Sequence, residues 1–312
     1  MYDSTILAQI LWTSTAAAGF HVLFTIAFAL VLKVNKIWNF TQPALMGIAF
    51  YAMYVVVNPL GGPVLAGVAV ALVVTGATGY GIERLAFATL RARNSGPIAF
   101  FIFTLVFAQF AIYVLTLVFT TEPRFMLQSM MWPMRLVAGV VVSDWDLQAI
   151  VITAVLAAAL YLFLHFTRPG QFMIAVADNA DLAEIYGIDK QAAFRLAMVI
   201  AAVFITAAMY IFGARLALFP ELTLHVMIFA VTATILGGIG SIFGAAAAAV
   251  SISILQQFSV LVVDSRWQPL LVSALLFVAI VFFPQGVKLK RRPRADGRAG
   301  LPAMAGTPRP AE

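Results

Sequence analysis

The 312-residue sequence contains no cysteine, only three histidines and few charged residues, which make up 10% of it. Without cysteine there is no disulfide, thiolate metal site or cysteine nucleophile. His21, His165 and His225 are far apart and form no H-E-x-x-H motif, so no metal site is expected. A membrane enzyme would need His, Asp or Glu clustered at a membrane face, and these histidines form no such cluster in the sequence. The low charge also disfavours a soluble fold, in which about a quarter of residues are charged.

Hydrophobic residues make up 63% of the chain and are organised in runs. A helix needs about 20 apolar residues to cross the hydrocarbon core of a bilayer, and several runs reach or approach that length. They predict an all-α fold, a polytopic transmembrane helical bundle with about eight to nine membrane segments, some short or broken. The predicted segments are 6–32, 43–57, 63–80, 98–120, 147–166, 192–212, 224–236, 242–263 and 269–283. Segments 43–57 and 224–236 are short for a full crossing, and half-helices packed inside the protein are one interpretation of them.

The distribution of Lys and Arg predicts the orientation, because cytoplasmic loops retain basic residues. Only four of the 19 basic residues fall outside when the loops with basic residues at 33–36, 84–93 and 168–195 and the tail from Lys288 are placed in the cytoplasm. These four are Arg124, Arg135, Arg215 and Arg266. The predicted amino terminus is therefore outside and the predicted carboxyl terminus inside.

The chain is expected to divide into a transmembrane domain, residues 1–287, and a basic tail, residues 288–312. The tail is rich in Pro and charge and is expected to be a disordered cytoplasmic segment. It could also be interpreted as a patch for nucleic acid or anionic lipid. A basic cluster directly after a final span follows from the orientation rule alone, so the bilayer is an expected partner and nucleic acid is not.

Polar side chains recur on one face of three predicted segments. The three faces carry Ser14, His21 and Thr25; Gln109, Tyr113 and Thr116; and Ser253, Gln256 and Gln257. A polar group facing hydrocarbon would be unsatisfied, so these faces predict a polar interior or a water-filled path. His21, Thr25, Gln109, Tyr113 and Gln256 are therefore candidate residues of a translocation path. For His21, a hydrogen bond that joins two helices is the alternative.

Small residues recur every four positions in the third segment, at Gly67, Ala71, Thr75 and Gly79. Such a flat face predicts close helix packing. Hardly any acidic or basic residue lies at the centre of a predicted segment. Proton-driven and sodium-driven carriers often keep acids there, so their scarcity disfavours a secondary transporter working alone and agrees with energy supplied by a soluble partner.

A glycine cluster lies between the seventh and eighth segments, at Gly237, Gly238, Gly240 and Gly244. Its G-x-G-x-x-x-G spacing differs from the G-x-G-x-x-G of dinucleotide sites, and no P-loop lysine follows. These structural glycines predict a tight turn or a broken helix, since glycine permits left-handed backbone.

The loop 168–190 is polar but helical in pattern. Asp178 is predicted to cap a helix and Gly187 to end it. Leu182, Ile185 and Tyr186 would form an apolar side opposite Asp181 and Glu184. The pattern fits a groove on another protein, and it fits a solvated connector equally well.

Four motifs between about residue 12 and residue 287 carry a resemblance to a known family. Residues 39–42 (N-F-T-Q) are similar to N-F-A-H-G, and residues 83–91 (E-R-L-A-F-A-T-L-R) to E-R-x-A-Y-R-P-L-R. Gly170 and residues 177–188 are similar to G-x-x-x-R-A-x-x-x-x-x-x-A-x-x-x-G-I. Residues 237–241 (G-G-I-G-S), Gly244 and residues 284–286 (P-Q-G) complete the set. In order and spacing the chain resembles the branched-chain amino acid permease family of ABC importers, which includes urea and amide permeases.

The resemblance implies a permease subunit that translocates a small polar solute such as a branched-chain amino acid, an amide or a small organic acid across the bacterial inner membrane. It implies a second permease subunit, related or identical, an extracytoplasmic solute-binding protein and two cytoplasmic ATPase subunits. ATP and Mg would be bound by the ATPases, so this chain would be no enzyme and hold no cofactor. A stand-alone secondary transporter or channel is the alternative.

The same resemblance assigns the ATPase-coupling role to the loop, with these residues: Asp178, Asn179, Asp181, Leu182, Glu184, Ile185, Tyr186 and Gly187. It also adds Asn39 and Gln42 to the candidate path. The sequence departs from the family pattern at Gln42 and Pro43, which replace His and Gly, and at Ile174, which replaces an Arg of the docking loop. Ala88 and Thr89 replace Arg-Pro. These departures indicate a shifted substrate class and one salt bridge fewer to the ATPase.

Overall fold

The computed structural model describes residues 4–127, 132–137, 139–261, 264 and 267–282. Within these ranges the chain forms twelve α-helices, one π-helical segment and two β-strands. In chain order they are α1 (Ser4–Asn35), α2 (Gln42–Val57), α3 (Val64–Gly81), the π-helical segment (Ile82–Phe87), α4 (Ala88–Ala92), α5 (Pro97–Phe119), β1 (Met134–Val137), β2 (Val140–Ser143), α6 (Asp144–Phe166), α7 (Arg168–Asp178), α8 (Ala180–Ile185), α9 (Lys190–Gly213), α10 (Leu222–Leu236), α11 (Ile242–Ser259) and α12 (Gln268–Phe282). The predicted tail, 288–312, lies outside the described residues.

Six helices in the described part of the chain are long and apolar enough to cross a membrane. They are α1, α3 with its continuation to Ala92, α5, α6, α9 and α11. Three further apolar helices are shorter: α2 has 16 residues, and α10 and α12 have 15 each. The structure confirms a polytopic helical membrane domain, while the number of crossings stays a prediction.

A β-hairpin departs from the all-α prediction. β1 pairs antiparallel with β2, with Met134 opposite Ser143, and Gly139 between the strands has φ +83°. Ser143 then caps α6, its side chain accepting a hydrogen bond from the Trp145 backbone N–H. Four-residue strands between two spans are too short for sequence periodicity to separate from a loop.

The core of the bundle is built around α1 and α9. In their most apolar 18-residue windows, 83% of α1 and 67% of α9 residues are buried, against 17–28% in the other four long helices. α1 packs against α9, α11, α6 and α10. The outer helices therefore expose apolar side chains to lipid or to partner proteins, as a membrane protein requires.

The small residues of α3 form a packing face, as predicted. Gly67, Ala71, Thr75 and Gly79 are the buried residues of this helix. A Cβ at Gly67 would lie 3.1 Å from Cγ2 of Val57 in α2, and a Cβ at Gly79 would lie 3.4 Å from the Met198 carbonyl oxygen in α9. α3 is therefore held close to two helices at once.

The glycine cluster forms the predicted tight turn between α10 and α11. Gly238 and Gly240 both have φ +95°, which disfavours any residue with a Cβ. A Cβ at Gly237 would clash with the backbone of Gly244, so the two backbone segments on either side of the turn are in direct contact. Ser241 caps α11 by accepting a hydrogen bond from the Gly244 N–H at 3.1 Å.

A buried ion pair ties three helices together where α1 and α3 end and α9 begins. Glu83, fully buried in the π-helical segment, pairs with Arg91 of α4 and accepts a hydrogen bond from the Asn35 amide at 2.9 Å. The Arg91 guanidinium lies 4.3 Å from the centre of the Phe194 ring. This end, which the predicted orientation places in the cytoplasm, is termed the inner end, and the opposite one the outer end.

Candidate functional site

The predicted coupling loop forms two helices, α7 and α8, at the inner end between α6 and α9. Asp178 does not cap a helix, contrary to the prediction, but is the last residue of α7. Asn179 has extended backbone, φ −152°, and its Oδ1 accepts a hydrogen bond from the Leu182 N–H at 3.0 Å, so it is the N-cap of α8. The extended residue breaks what the sequence pattern presented as one helix.

Three apolar side chains of α8 and its C-cap are exposed, beside the exposed acids Asp181 and Glu184. Leu182, Ile185 and Tyr186 are 50%, 81% and 79% exposed, while Ala183 is buried against the bundle. Gly187, with φ +80°, ends the helix. An apolar patch of this kind at the membrane's aqueous face is typical of a protein-protein contact.

The acidic side chains of α8 are tied to α9. Lys190 Nζ lies 2.7 Å from Glu184 Oε2 and 3.6 Å from Asp181 Oδ1. Lys190 is also the first residue of α9, which runs through the core beside α1. Side-chain ion pairs, as well as the chain itself, therefore connect α8 to the start of α9.

Gln109 and Tyr113 of the polar stripe on α5 face away from the rest of the bundle. They therefore do not line a polar interior of this subunit, which differs from the prediction. Gln109 is exposed and Tyr113 is 63% exposed. The buried face of α5 instead carries Phe100, Thr104, Ala108 and Ile112. Gln109 follows Ala108 and is rotated by about 100° from it, given the 3.6 residues in each helical turn.

Asn39 and Gln42 lie at the start of α2, which is buried inside the bundle. Both residues and Thr41 between them are fully buried. Asn39 Oδ1 accepts hydrogen bonds from the Thr41 N–H and hydroxyl at 3.0 and 2.6 Å, and its amide lies 3.4 Å from the sulfur of Met198. The Gln42 amide makes no hydrogen bond to any described residue. Neither residue lines the cavity described next.

A cavity of about 560 Å³ opens at the outer end between α1, α10, α11 and α12. His21, Ser253 and Gln256 line it. His21 Nδ1 lies 3.0 Å from Ser253 Oγ, and its ring stacks on Phe229 with centres 3.9 Å apart. His21 thus bonds α1 to α11, as the alternative interpretation predicts, and it faces the cavity. Its place in a translocation path stays a prediction. Thr25 is fully buried, and its hydroxyl donates to the His21 carbonyl at 2.8 Å.

A second buried carboxylate, Asp146, stands beside this cavity. Its Oδ2 accepts hydrogen bonds from Trp12 Nε1 at 3.1 Å and from the Ser143 N–H at 3.0 Å. Its Oδ1 lies 3.5 Å from Nη1 of Arg215, whose guanidinium sits 4.7 Å from the centre of the Trp145 ring. The S-x-x-D spacing of Ser143 and Asp146 is a capping-box signal that the sequence interpretation missed.

These features define a polytopic membrane protein, with a cavity at one end and a short helix carrying exposed apolar side chains at the other. A family model described as branched-chain amino acid transport system / permease component matches residues 10–281. The chain belongs to this family and is a multi-pass permease of the bacterial inner membrane.

The curated relatives match along most of their length. The high-affinity branched-chain amino acid transport system permease protein BraD of Pseudomonas aeruginosa is 26% identical over 280 residues, which cover 86% of this chain and 91% of BraD. The corresponding permease protein LivH of Escherichia coli is 24% identical over 295 residues, covering 89% and 94%. By these names the relatives are transport permeases, not enzymes.

A solved structure, PsaBC from Streptococcus pneumoniae in complex with Fab, is similar to this chain in fold. Its TM-score is 0.51 with 14% sequence identity, and the match covers 89% of this chain and 92% of that one. At this identity the likeness shows the fold alone.

Proposed function

We propose that the chain is the membrane-spanning subunit of an ATP-driven ABC importer for a small polar solute, such as a branched-chain amino acid, an amide or a small organic acid. Its partners would be a second permease subunit, related or identical, two cytoplasmic ATPases that bind ATP and Mg, and an extracytoplasmic solute-binding protein. The observation that carries the proposal is the exposed apolar face of α8, with Leu182, Ile185 and Tyr186 at 50%, 81% and 79% exposure.

The contacts of α8 support a coupling mechanism. Ala183 anchors the helix, and Lys190 ties its acidic side to α9. Because α9 packs on α1, α2 and α3, a displacement of α8 by a partner ATPase would be passed to the central helices. The bundle would then open alternately towards each side of the membrane.

The outward stripe of α5 supports the second permease subunit. Gln109 stands close to the middle of a 23-residue apolar helix, and Tyr113 stands one turn beyond it. An amide facing hydrocarbon would lack hydrogen-bond partners, so such residues face other protein or a water-filled path. A path shared between two permease subunits would give both side chains a polar surrounding.

The coupling role is tested by Leu182→Asp combined with Ile185→Asp in the complex reconstituted with its ATPases. Both side chains are exposed, so the variant is expected to fold normally while solute-stimulated ATP hydrolysis falls at least about tenfold, since each new charge must be desolvated in the docking groove. Leu136→Asp, at a 74% exposed position of the hairpin, is the matched control at the outer end. Undiminished stimulation in the double variant would rule out docking through α8.

The sidedness and the alternative function have their own readouts. The natural chain has no cysteine, so Asp181→Cys gives a single labelling site. A membrane-impermeant thiol reagent should reach it only from the cytoplasmic side, and labelling only from outside would contradict the orientation. Solute uptake by the purified chain in liposomes without ATPases would instead establish a stand-alone transporter.

A further inference from the structure

The described lining of the outer cavity carries a single guanidinium and no carboxylate. Among the described residues that line it, Arg215 is the only Lys or Arg, and there is no Asp or Glu. Asp146 does not line this cavity but stands behind Arg215, against the neighbouring surface. The cavity wall therefore presents one guanidinium to an anionic group, with the counter-ion of that guanidinium, Asp146, behind it.

Arg215 is ion-paired with Asp146, but its side chain makes no hydrogen bond to the described residues and has donors left for an incoming group. Its side chain is 49% exposed, and its contact with Asp146 Oδ1, at 3.5 Å, is longer than a normal hydrogen bond. Asp146 Oδ1 accepts no hydrogen bond from the described residues, whereas Oδ2 is used twice. Stacking on Trp145 holds the guanidinium plane in place without using its N–H donors. A planar fork of donors in this state matches the two oxygens of a carboxylate.

The rest of the lining divides into an apolar and a polar part. Phe212, Leu222 and Val226 supply apolar walls, and Gln256 and Gln257 supply amide groups from α11. A cavity of about 560 Å³ lies within the range of roughly 300–1,000 Å³ usual for small-molecule sites. A ligand that matches this lining should combine one anionic group with a short hydrocarbon tail.

We propose that this cavity binds small monocarboxylates with an apolar tail and that Arg215 binds their carboxylate. The proposal deepens the proposed function, on which it rests for the direction of transport. An ammonium group would find no carboxylate partner on the described lining, so the cavity selects for the acid group and gains nothing from an amine.

Binding is tested on the full-length chain in lipid nanodiscs, without partners, by ligand-observed NMR. 4-Methylpentanoate is expected to bind, and 4-methylpentanamide, of the same shape but uncharged, at least about tenfold more weakly, the scale of a lost charge-assisted hydrogen bond. Leucine, which adds only an ammonium to the acid, is expected to bind no more tightly than the acid. Equal binding of acid and amide, or markedly tighter binding of leucine, would overturn the proposal.

The residue is tested with Arg215→Gln and Arg215→Lys. Arg215→Gln is expected to lose binding of 4-methylpentanoate at least about tenfold, and Arg215→Lys to retain part of it, because lysine keeps the charge but not the fork. Arg135→Gln, which removes a 72% exposed arginine from the same end, is the matched control. If Arg215→Gln binds the acid as the wild type does, the assignment is wrong. Because no ATPase is present in this experiment, its failure would contradict the role of Arg215 without contradicting the proposed docking of an ATPase on α8.

Discussion

Each end of the bundle carries a buried carboxylate paired with an arginine, and the two pairs differ in how far water reaches them. At the inner end Glu83 is fully buried and Arg91 is 20% exposed. At the outer end Asp146 is 4% exposed, but Arg215 is 49% exposed and 3.5 Å away. Both members of the first pair are largely shielded from water, whereas in the second pair only the carboxylate is shielded.

The difference separates a structural connection from a binding group. The inner pair, with Asn35 and Phe194, joins α1, the end of α3 and α9, and neither charge can leave without a large desolvation cost. The outer arginine is already half hydrated, so its exposed side can bind water or a solute while Asp146 stays behind it. The same kind of ion pair thus stabilises helix packing at the inner end and leaves an arginine accessible to solutes at the outer end.

The largest effect is expected for Glu83→Ala. Removal of one member leaves Arg91 largely buried without its partner, which costs about 3–5 kcal/mol for buried pairs. The loss is measured as the free energy of unfolding in a titration with sodium dodecyl sulfate. Arg84→Ala, at the exposed neighbouring position, is the control and should change stability by less than about 0.5 kcal/mol. A similar loss in both variants would show that the pair is not closed to solvent.

Asp146→Ala is expected to cost less, about 1–3 kcal/mol, because it leaves the donors of Trp12 and Ser143 without their acceptor while Arg215 turns to water. The same titration measures it. Asp146→Asn, which keeps one acceptor oxygen, should lose only part of that amount. A loss as large as that of Glu83→Ala would erase the distinction between the two ends.

The sequence predicted the helices well, because the thickness of the bilayer sets the length of an apolar run. The predicted segment 192–212 corresponds to α9 (Lys190–Gly213), and 224–236 to α10 (Leu222–Leu236). It did not reveal the hairpin or the break at Asn179. Both depend on the backbone conformation of a few residues, which hydrophobicity does not report.

The candidate site was only partly predictable. Helical spacing put Gln109 and Tyr113 on one face, but in a helix that is apolar all round it gives no sign of which face is buried. Glu83 and Asp146 lie at the ends of membrane-spanning segments. A charged residue at such a position is ordinarily assigned to an exposed loop, so the sequence does not indicate that these two are buried. Their burial comes from contacts with α1 and with α4 or the segment after α9, which a single sequence does not display.

The smallest effect on stability is expected for Arg215→Gln, about 1 kcal/mol or less. The guanidinium is half exposed, Asp146 keeps its hydrogen bonds from Trp12 and Ser143, and the stacking on Trp145 contributes little. The same detergent titration measures it beside the binding experiment. A small loss of stability together with a large loss of acid binding would separate recognition from folding at this residue. A loss above about 3 kcal/mol would instead place Arg215 in the same class as Arg91, as part of the framework, and the contrast between the two ends would fail.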